Sequence, residues 1–250
     1  MRPIESPESS LTKTALKIYP PPSEELAIEN LYTDLELPSE GSLDSSLPYL
    51  YTNMVSTLDG KIAIEGKAND IGEAGDRRVM RNLRAISDGV LRTGSTLRAE
   101  KILSGVPHDL SIRRVDNGLS PQPFEIILTK TADVSILQNL IDYDPTRTIL
   151  LTGERSEPLD LTLTLRDLKE KHHIRRLLME SGPTLNYSLV SQNLLDEIFL
   201  TISPKLVAGL PAGSLNILTG ELLPREAQVA PRLLSVHTMN NELFLRYSLR

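Results

Sequence analysis

Residues 177–185 read Leu-Leu-Met-Glu-Ser-Gly-Pro-Thr-Leu, an apolar run that ends in an acid and is followed by a glycine and a proline. The apolar run predicts a buried strand, and Pro183 is typical of the first turn of a helix. Because the free N–H groups of a helix N-terminus bind anions, the stretch favours a ligand crevice. An ordinary strand-to-helix turn with a solvated Glu180 is the alternative interpretation.

Strands and helices alternate around this stretch from residue 48 onward. Short apolar runs separated by amphipathic stretches predict an α/β fold with a mostly parallel central sheet and helices on both faces. Two runs at the end of the chain, 232–239 and 242–249, flank Asn240-Asn241 and predict an antiparallel hairpin. The other strands are expected at 49–57, 89–93, 124–130, 148–152, 174–180 and 198–203, and the helices at 76–87, 136–141, 163–171 and 185–193.

Residues 1–47 differ in composition from the rest, since six of the 17 prolines fall there. Proline fixes φ and lacks a backbone donor, so this segment is expected to be an extension that packs on the body or on a neighbouring subunit and contributes nothing to the core. One helix is predicted, with Ser23 as its N-cap. The expected organisation is a Pro-rich extension, 1–47, followed by one domain, 48–250.

The composition of the 250-residue chain argues against several classes of protein. A net charge of −6 argues against a nucleic-acid surface, and no apolar run reaches the roughly 18 residues of a membrane span. The absence of cysteine removes disulfides and thiolate zinc sites, and the four histidines form no H-E-x-x-H motif. We therefore expect a cytoplasmic protein with no metal, nucleic-acid or membrane partner.

A second motif, Thr57-Leu58-Asp59-Gly60-Lys61, follows the predicted strand 49–57. Asp-Gly suits a tight turn, because glycine adopts positive φ and aspartate bonds back to the backbone. A plain turn is one interpretation. The functional one is that Asp59 and Lys61 project at the carboxyl end of a strand, where open α/β sheets bind ligands.

A third feature is the basic helix after Asp76, in which Arg77, Arg81 and Arg84 share one face. Residues 77–101 contain seven basic and two acidic residues, a local charge of +5 in an acidic chain. Such a stripe is usually the solvated face of a helix. The local excess of charge nevertheless favours a phosphate-bearing ligand, since arginine pairs with phosphate in a bidentate geometry.

A fourth segment, Thr93-Gly94-Ser95-Thr96, follows the predicted strand 89–93. Its small residues are expected to form a turn whose amides and hydroxyls can bind a phosphate or a carboxamide. Turns of this composition are common, so the segment alone is a weak signal.

Taken together, these segments resemble the reductase family of riboflavin biosynthesis, which includes the C-terminal domain of the bifunctional deaminase-reductase and has a dihydrofolate-reductase-like fold. The family's Ser-Leu-Asp-Gly-Lys is Thr57–Lys61 here, and its Leu-Arg-Ala is Leu83–Ala85. Its strand, glycine-rich turn and Thr-x-x-Ala-Asp are similar to Thr93–Glu100, and its Glu-Gly-Gly-Pro-Thr-Leu to Glu180–Leu185.

The resemblance implies an NADPH-dependent reductase that converts a ribosylaminopyrimidine 5′-phosphate to its ribitylamino form, and a homodimer. It implies that Lys61 and Glu180 are catalytic and that Asp59 and Arg84 contact the substrate, Arg84 at its phosphate. The residues that the resemblance assigns to the cofactor are Val55, Ser56, Thr93, Thr96, Glu100, Gly182, Pro183, Thr184 and Leu185.

Three departures from the family pattern leave alternatives open. Thr93 and Ser95 replace the glycines of the Gly-x-Gly turn, Glu100 replaces an aspartate, and 101–105 lacks the family's Asp-Pro-x-Leu-Thr sequence. One alternative is a dihydrofolate-reductase-like enzyme that acts on another pterin or carbonyl compound. The other is a non-catalytic member in which Thr93 and Ser95 fill the cofactor groove.

Overall fold

The computed structural model describes residues 13–64, 70–100, 103–129, 144–152, 159–209 and 215–250. Ten strands form one sheet in the order β2-β1-β9-β10-β8-β3-β7-β4-β5-β6. The strands are β1 (Thr14–Tyr19), β2 (Glu24–Ala27), β3 (Tyr49–Thr57), β4 (Gly89–Thr93), β5 (Phe124–Thr129), β6 (Thr148–Thr152), β7 (Arg176–Glu180), β8 (Glu197–Ser203), β9 (Arg232–Met239) and β10 (Glu242–Ser248). The helices are α1 (Ala74–Ala85), α2 (Gly94–Glu100), α3 (His108–Asp116), α4 (Leu161–His172) and α5 (Pro183–Ser191), and short 3-10 turns lie at Ile28–Asn30, Pro145–Arg147 and Arg225–Ala227.

The sheet has a parallel part and an antiparallel part. The six neighbouring strands from β8 to β6 are parallel, whereas β10 pairs antiparallel with both β8 and β9. The C-terminal hairpin turns at Asn240 and Asn241, which have φ of 49° and 68°. The predicted mostly parallel sheet and closing hairpin are therefore confirmed.

Side chains of successive strand residues point to opposite faces of the sheet and create two apolar cores. Tyr49 and Tyr51 of β3 pack with Leu83 of α1, whereas Leu50 between them packs with Leu168 of α4. Helices α1, α2 and α3 lie on the first face, where Leu97 packs on Ile127, Leu110 packs on Ala85, and Val79 joins the Tyr49 cluster. Helices α4 and α5 cover the second face, so the expected two-sided covering is confirmed.

The N-terminal segment differs from the expectation. Residues 24–27 form strand β2 where a helix capped by Ser23 was predicted, and β1 pairs with β9, so the segment extends the sheet. Its side chains are also part of the core, since Ala15 is fully buried. Lys17 of β1 forms an ion pair with Glu24 of β2 at 2.9 Å, a cross-strand contact that favours the strand over the helix. The division at residue 48 stays a prediction.

Two helices were missed from the sequence. Helix α2 begins at Gly94 directly after β4, where a turn was expected, and α3 lies in a stretch with no predicted element. The predicted helix 136–141 lies outside the described residues. None of the helices seen in the described part of the chain has both the length and the apolar character needed to cross a membrane.

Candidate active site

A cleft of about 1280 Å³ opens at the carboxyl ends of the neighbouring parallel strands β3 and β7. Helix α1 forms one wall, and the turn from β7 into α5 forms another. Ligands of open α/β sheets bind at this edge, so the cleft is the candidate active site. Its lining includes Asn53, Val55, Asp76, Arg77, Arg81, Arg84, Thr96, Arg147, Glu180, Gly182 and Pro183.

Arg84 and Glu180 form a bidentate ion pair across the cleft. Arg84 Nε donates to Glu180 Oε1 at 2.6 Å, and a terminal guanidinium nitrogen donates to Oε2 at 2.6 Å. The two side chains are 10% and 11% exposed, so water screens the pair little. The sequence analysis assigned these residues to separate roles, and the structure brings them together. Both carboxylate oxygens of Glu180 accept a hydrogen bond from Arg84.

The predicted arginine face of α1 lines the cleft. Arg77, Arg81 and Arg84 all contribute to its wall. Arg147, from the 3-10 turn before β6, also lines the cleft. We call these four residues the arginine row. They outnumber Asp76 and Glu180, the two carboxylates in the described lining. An excess of guanidinium groups in a cleft suits a phosphorylated ligand.

Asp76 is a cleft residue that the sequence analysis did not single out as a ligand contact. It lies in the first turn of α1 and lines the cleft, and its Oδ1 is buried with no hydrogen-bond partner among the described residues. Burial raises the pKa of Asp76 to about 6, with the charge of Glu180 adding to the effect, against the lowering effects of Thr201 and Arg77. Positions 76, 80 and 84 lie on one helix face, and this spacing was the available signal.

The turn from β7 into α5 presents an open helix N-terminus. Gly182 is the N-cap of α5 and supplies no side-chain cap, and Pro183 occupies the first turn. A Cβ at Gly182 would meet no described atom within 4 Å, because the position faces the open cleft. Uncapped amides beside open space fit an anionic group such as a pyrophosphate.

The structure places the predicted cofactor residues unevenly. Val55, Thr96, Gly182 and Pro183 line the cleft, whereas the side chain of Glu100 lies outside the described part. The described lining does not include Ser56, Thr93, Thr184 or Leu185.

Thr93 and Ser95 bond to each other at the start of α2. Thr93 Oγ1 lies 2.8 Å from Ser95 Oγ and 3.1 Å from Thr96 Oγ1. Neither Thr93 nor Ser95 belongs to the described lining of the cleft. This arrangement gives no support to the interpretation that these two side chains fill the cofactor groove.

Asp59 and Lys61 belong to a turn beside the cleft, and neither is among its described lining residues. Asp59 accepts hydrogen bonds from the Thr57 hydroxyl at 2.6 Å and from the Ala208 amide at 2.7 Å, so it ties the turn to the loop after β8. The Lys61 amide donates to Thr57 Oγ1 at 2.9 Å. The predicted ligand roles of Asp59 and Lys61 stay predictions.

The stretch that departs from the family pattern forms a wall of the cleft. The residues that line it are Leu103, Gly105, Val106 and Pro107. The Val106 amide donates to Gln122 Oε1 at 2.8 Å, and Gln122 Nε2 donates to the Val106 carbonyl at 2.9 Å. No sequence pattern indicates this anchor, because Val106 and Gln122 belong to different segments.

The described residues contain no group of three or more histidine, aspartate or glutamate side chains arranged to bind a metal ion. The charged groups that line the cleft are guanidinium groups and two carboxylates, and the uncapped amides of α5 lie beside them. Groups of this kind can pair with an anionic ligand and hydrogen-bond its polar edges.

Known proteins are similar to this chain in sequence and in fold. A 2,5-diamino-6-ribosylamino-4(3H)-pyrimidinone 5′-phosphate reductase from Archaeoglobus fulgidus is 28% identical over 183 residues, which cover 65% of this chain and 83% of that protein. A protein of the same description from Methanothermobacter thermautotrophicus is 27% identical over 223 residues, covering 81% and 99%.

The solved structure of RibD from Acinetobacter baumannii superposes with a TM-score of 0.69 at 22% identity, which shows a shared fold. It covers 82% of this chain, whereas this chain spans 58% of that longer protein. The sequence model of the RibD C-terminal domain matches residues 48–243, which contain both cleft-forming strands and the arginine row. On this match the chain belongs to the RibD C-terminal domain family.

Proposed function

We propose that this chain reduces a ribosylaminopyrimidine 5′-phosphate to the ribitylamino compound, with NADPH as the source of hydride. The observation that supports the proposal most is the cleft itself, because the arginine row, the Arg84–Glu180 pair and the uncapped N-terminus of α5 line one cavity. The proposed reaction also agrees with the printed names of the two archaeal relatives.

NADPH fits the side of the cleft formed by α5. The Gly182 backbone and the first-turn amides of α5 would hold the pyrophosphate, and Val55 and Thr96 would contact the rest of the cofactor. When bound, the cofactor supplies the hydride, and the protein's part is to orient it against the substrate. Thr93, Ser56, Glu100, Thr184 and Leu185 stay predicted cofactor residues.

The substrate would occupy the side of the cleft formed by α1. We infer that its phosphate binds the arginine row, since guanidinium groups pair with phosphate oxygens in a bidentate geometry. Arg84 would serve twice, as a substrate contact and as the partner that fixes Glu180. A carboxylate fixed in this way can accept hydrogen bonds from the hydroxyls of the sugar while its orientation stays constant.

The reaction consumes one proton together with the hydride. The ribosylamine opens to an imine, hydride adds to the sugar carbon, and the imine nitrogen takes up the proton to give the ribitylamine. Lys61 and Glu180 stay the predicted catalytic residues. The chain's contribution is positioning, since holding two reactants in near-attack contact can supply roughly 7–11 kcal/mol of the barrier.

The test is turnover of the purified chain with NADPH and the ribosylaminopyrimidine phosphate, followed by loss of NADPH absorbance and by identification of the ribitylamino product. We expect turnover with the phosphorylated substrate and a loss of at least tenfold in kcat/KM with the dephosphorylated one. NADPH oxidation with dihydropterins but not with the pyrimidine would replace this proposal by that of a dihydrofolate-reductase-like enzyme. Absence of NADPH binding would favour a non-catalytic family member.

A further inference from the structure

A buried ion pair joins two neighbouring strands of the sheet next to the cleft wall at 103–107. Arg92 of β4 and Glu125 of β5 are 1% and 0% exposed. Arg92 Nε donates to Glu125 Oε1 at 2.9 Å, and Arg92 Nη2 lies 2.9 Å from the same oxygen. Neither residue belongs to the described lining of the cleft, so any role in the site has to act through a neighbour.

The second oxygen of Glu125 binds the loop that forms this wall. Glu125 Oε2 accepts a hydrogen bond from the Ser104 amide at 2.6 Å, and Ser104 is itself 1% exposed. On either side of Ser104, Leu103 and Gly105 line the cleft, and the Gly105 amide donates to the Leu103 carbonyl at 2.9 Å. Since Arg92 binds Oε1, the Glu125 carboxylate divides its two oxygens between the sheet and the loop.

Stability alone does not account for a pair in this position. Two charged groups lose their hydration when they are buried, and apolar side chains of similar size often serve stability as well or better. A carboxylate, however, forms shorter and stronger hydrogen bonds with backbone amides than a neutral acceptor does. Glu125, held in place by Arg92, is therefore suited to fixing the Ser104 amide.

The same loop contacts the arginine row from its other side. Arg84 Nη1 donates to the Gly105 carbonyl at 3.4 Å, in addition to the pair that Arg84 forms with Glu180. Gln122 holds Val106 through both of its backbone groups. A displacement of the loop would move the Gly105 carbonyl relative to Arg84 and change the shape of the cleft on the side formed by α1.

We propose that Arg92 and Glu125 are positioning residues of the candidate active site, which hold the 103–107 wall against Arg84 through the Ser104 amide. The inference rests on the proposed function in one respect, because the ligand next to this wall is taken to be the phosphorylated substrate. NADPH is expected on the opposite side, at α5. Loosening the wall should therefore weaken the binding of the substrate and leave the binding of NADPH nearly unchanged.

The experiment compares two paired variants of the full chain. Arg92→Met with Glu125→Gln removes both charges and keeps a side-chain oxygen for the Ser104 amide, whereas Arg92→Met with Glu125→Met removes that oxygen as well. In the second variant we expect KM for the ribosylaminopyrimidine phosphate to rise at least tenfold, with kcat and NADPH affinity within about threefold of the wild type. In the first variant KM should stay within about threefold of the wild type. Calorimetric titration with the phosphorylated ribitylamino product should give the same ranking.

A matched control removes a buried pair between two other strands. Arg246 Nε of β10 donates to Glu197 Oε2 of β8 at 2.7 Å, and neither residue is in the described lining of the cleft. Arg246→Met with Glu197→Met should change stability and leave KM within about threefold of the wild type. Equal KM values in the two Arg92 variants, or a parallel loss of NADPH affinity, would show a merely structural pair and overturn the inference.

Hydrogen exchange followed by NMR tests the anchor without any substrate. In the wild type the Ser104 amide should exchange at least a hundredfold more slowly than in a free peptide of residues 100–108, on the order of the protection of a stable hydrogen bond. This protection should be kept when Glu125 is replaced by Gln and lost when it is replaced by Met. If the wild type turns over no ribosylaminopyrimidine phosphate, the proposed function fails, and this pattern would still support the anchor. Exchange of the wild-type Ser104 amide at the peptide rate would overturn the inference, even if neither paired variant folds.

Discussion

Arg84 and Glu180 form a buried ion pair, so both residues contribute to stability as well as to the candidate site. A solvated Arg84 on a helix face would be removable at little cost to stability, but the guanidinium is buried and bonded to Glu180 through two nitrogens. Breaking a buried pair from one side leaves an uncompensated charge, which typically costs about 3–5 kcal/mol. The sequence identified both residues as site candidates, yet their pairing depends on the juxtaposition of α1 and β7.

We predict that Arg84→Met and Glu180→Gln each lower the free energy of unfolding by about 3 kcal/mol and reduce kcat/KM at least tenfold. The double variant should lose clearly less stability than the sum of the two single losses, because it leaves no unpaired charge. Denaturant unfolding of all four proteins measures this coupling. Additive losses would show that the two groups do not stabilise each other.

Glu242 is predicted to make the protein less stable as the pH rises. Burial raises the pKa of Glu242 to about 7, with the charges of Asp76 and Glu73 adding to the shift. The folded state therefore holds the proton more tightly than the unfolded chain. The free energy of unfolding should fall as the pH rises from about 4.5 to about 7.

Glu242→Gln removes this ionisation, so the variant should be more stable than the wild type by about 1–3 kcal/mol at pH 8 and close to it at pH 4. Thermal and urea unfolding across this range measure the difference. Glu226→Gln, at an exposed position, serves as the control and should match the wild type throughout. A stability gap that does not change with pH would contradict the prediction.

At the scale of elements, the C-terminal end of α1 is held by one buried arginine. Arg114 of α3 is 1% exposed, and its Nη1 donates to the carbonyls of Arg84, Ala85 and Ser87 at 3.1, 3.0 and 2.6 Å. These carbonyls lie at the end of α1, where the helix leaves its last acceptors unpaired. Arg114 thereby fixes the backbone that carries Arg84 into the cleft.

We predict that Arg114→Met lowers the free energy of unfolding by about 3 kcal/mol, because the carbonyls of Ala85 and Ser87 lose a buried charged donor together. Arg113→Ala is the matched control, since its neighbouring guanidinium is 37% exposed and pairs with Asp34 at 3.6 Å. A change below about 1 kcal/mol is expected there. Similar losses in both variants, measured by urea unfolding, would refute a capping role for Arg114.

At the N-terminus of α5, we expect a single added side chain to weaken the binding of the cofactor. Gly182→Val would place methyl groups in the open cleft and none against described protein atoms. NADPH affinity should fall at least tenfold, about 1.4 kcal/mol, while the melting temperature stays within about 2 °C of the wild type. Fluorescence titration with NADPH measures the first quantity. Wild-type affinity in the folded variant would place the cofactor elsewhere.

Elements were predictable where a local pattern specified them. β3, β4, β6 and β9 have the bounds expected from their apolar runs. For β3 and β4 the reason is that strands buried on both faces leave a continuous apolar signal. α2 was missed since Gly94 and Ser95 are turn formers, and the packing of Leu97 on Ile127 overrides that tendency. The cleft wall at 103–107 could not be predicted, because Gln122 anchors it from another segment.

At the scale of the whole molecule, the fold class could be predicted from the sequence, but the position of the N-terminal strands in the sheet could not. β1 is stabilised by its pairing with β9, which is distant in the sequence. No pattern within residues 14–27 indicates that β9 is its partner. Pro20, Pro21 and Pro22 do separate β1 from β2, in keeping with the absence of backbone donors. The proline content was thus informative about where strands end.

We expect the protein to form a homodimer, as closed two-fold dimers are the commonest assemblies. Strand β1, in the antiparallel part of the sheet, carries exposed apolar side chains, since Leu16, Ile18 and Tyr19 are 39%, 47% and 42% exposed. Multi-angle light scattering should give twice the chain mass of 27.7 kDa at micromolar concentration. A single species at the chain mass would rule the dimer out.

The pairing of β1 with β9 also governs how the chain acquires its structure during synthesis. Residues 14–19 leave the ribosome long before their partners at 236–238 are made. β3 likewise has to wait for β7 and β8 on either side. Such non-local contacts slow folding, because long loops close before the contacts are gained. A nascent chain of this protein therefore carries unpaired strands until β9 has been made, and unpaired strands of this kind are prone to aggregation.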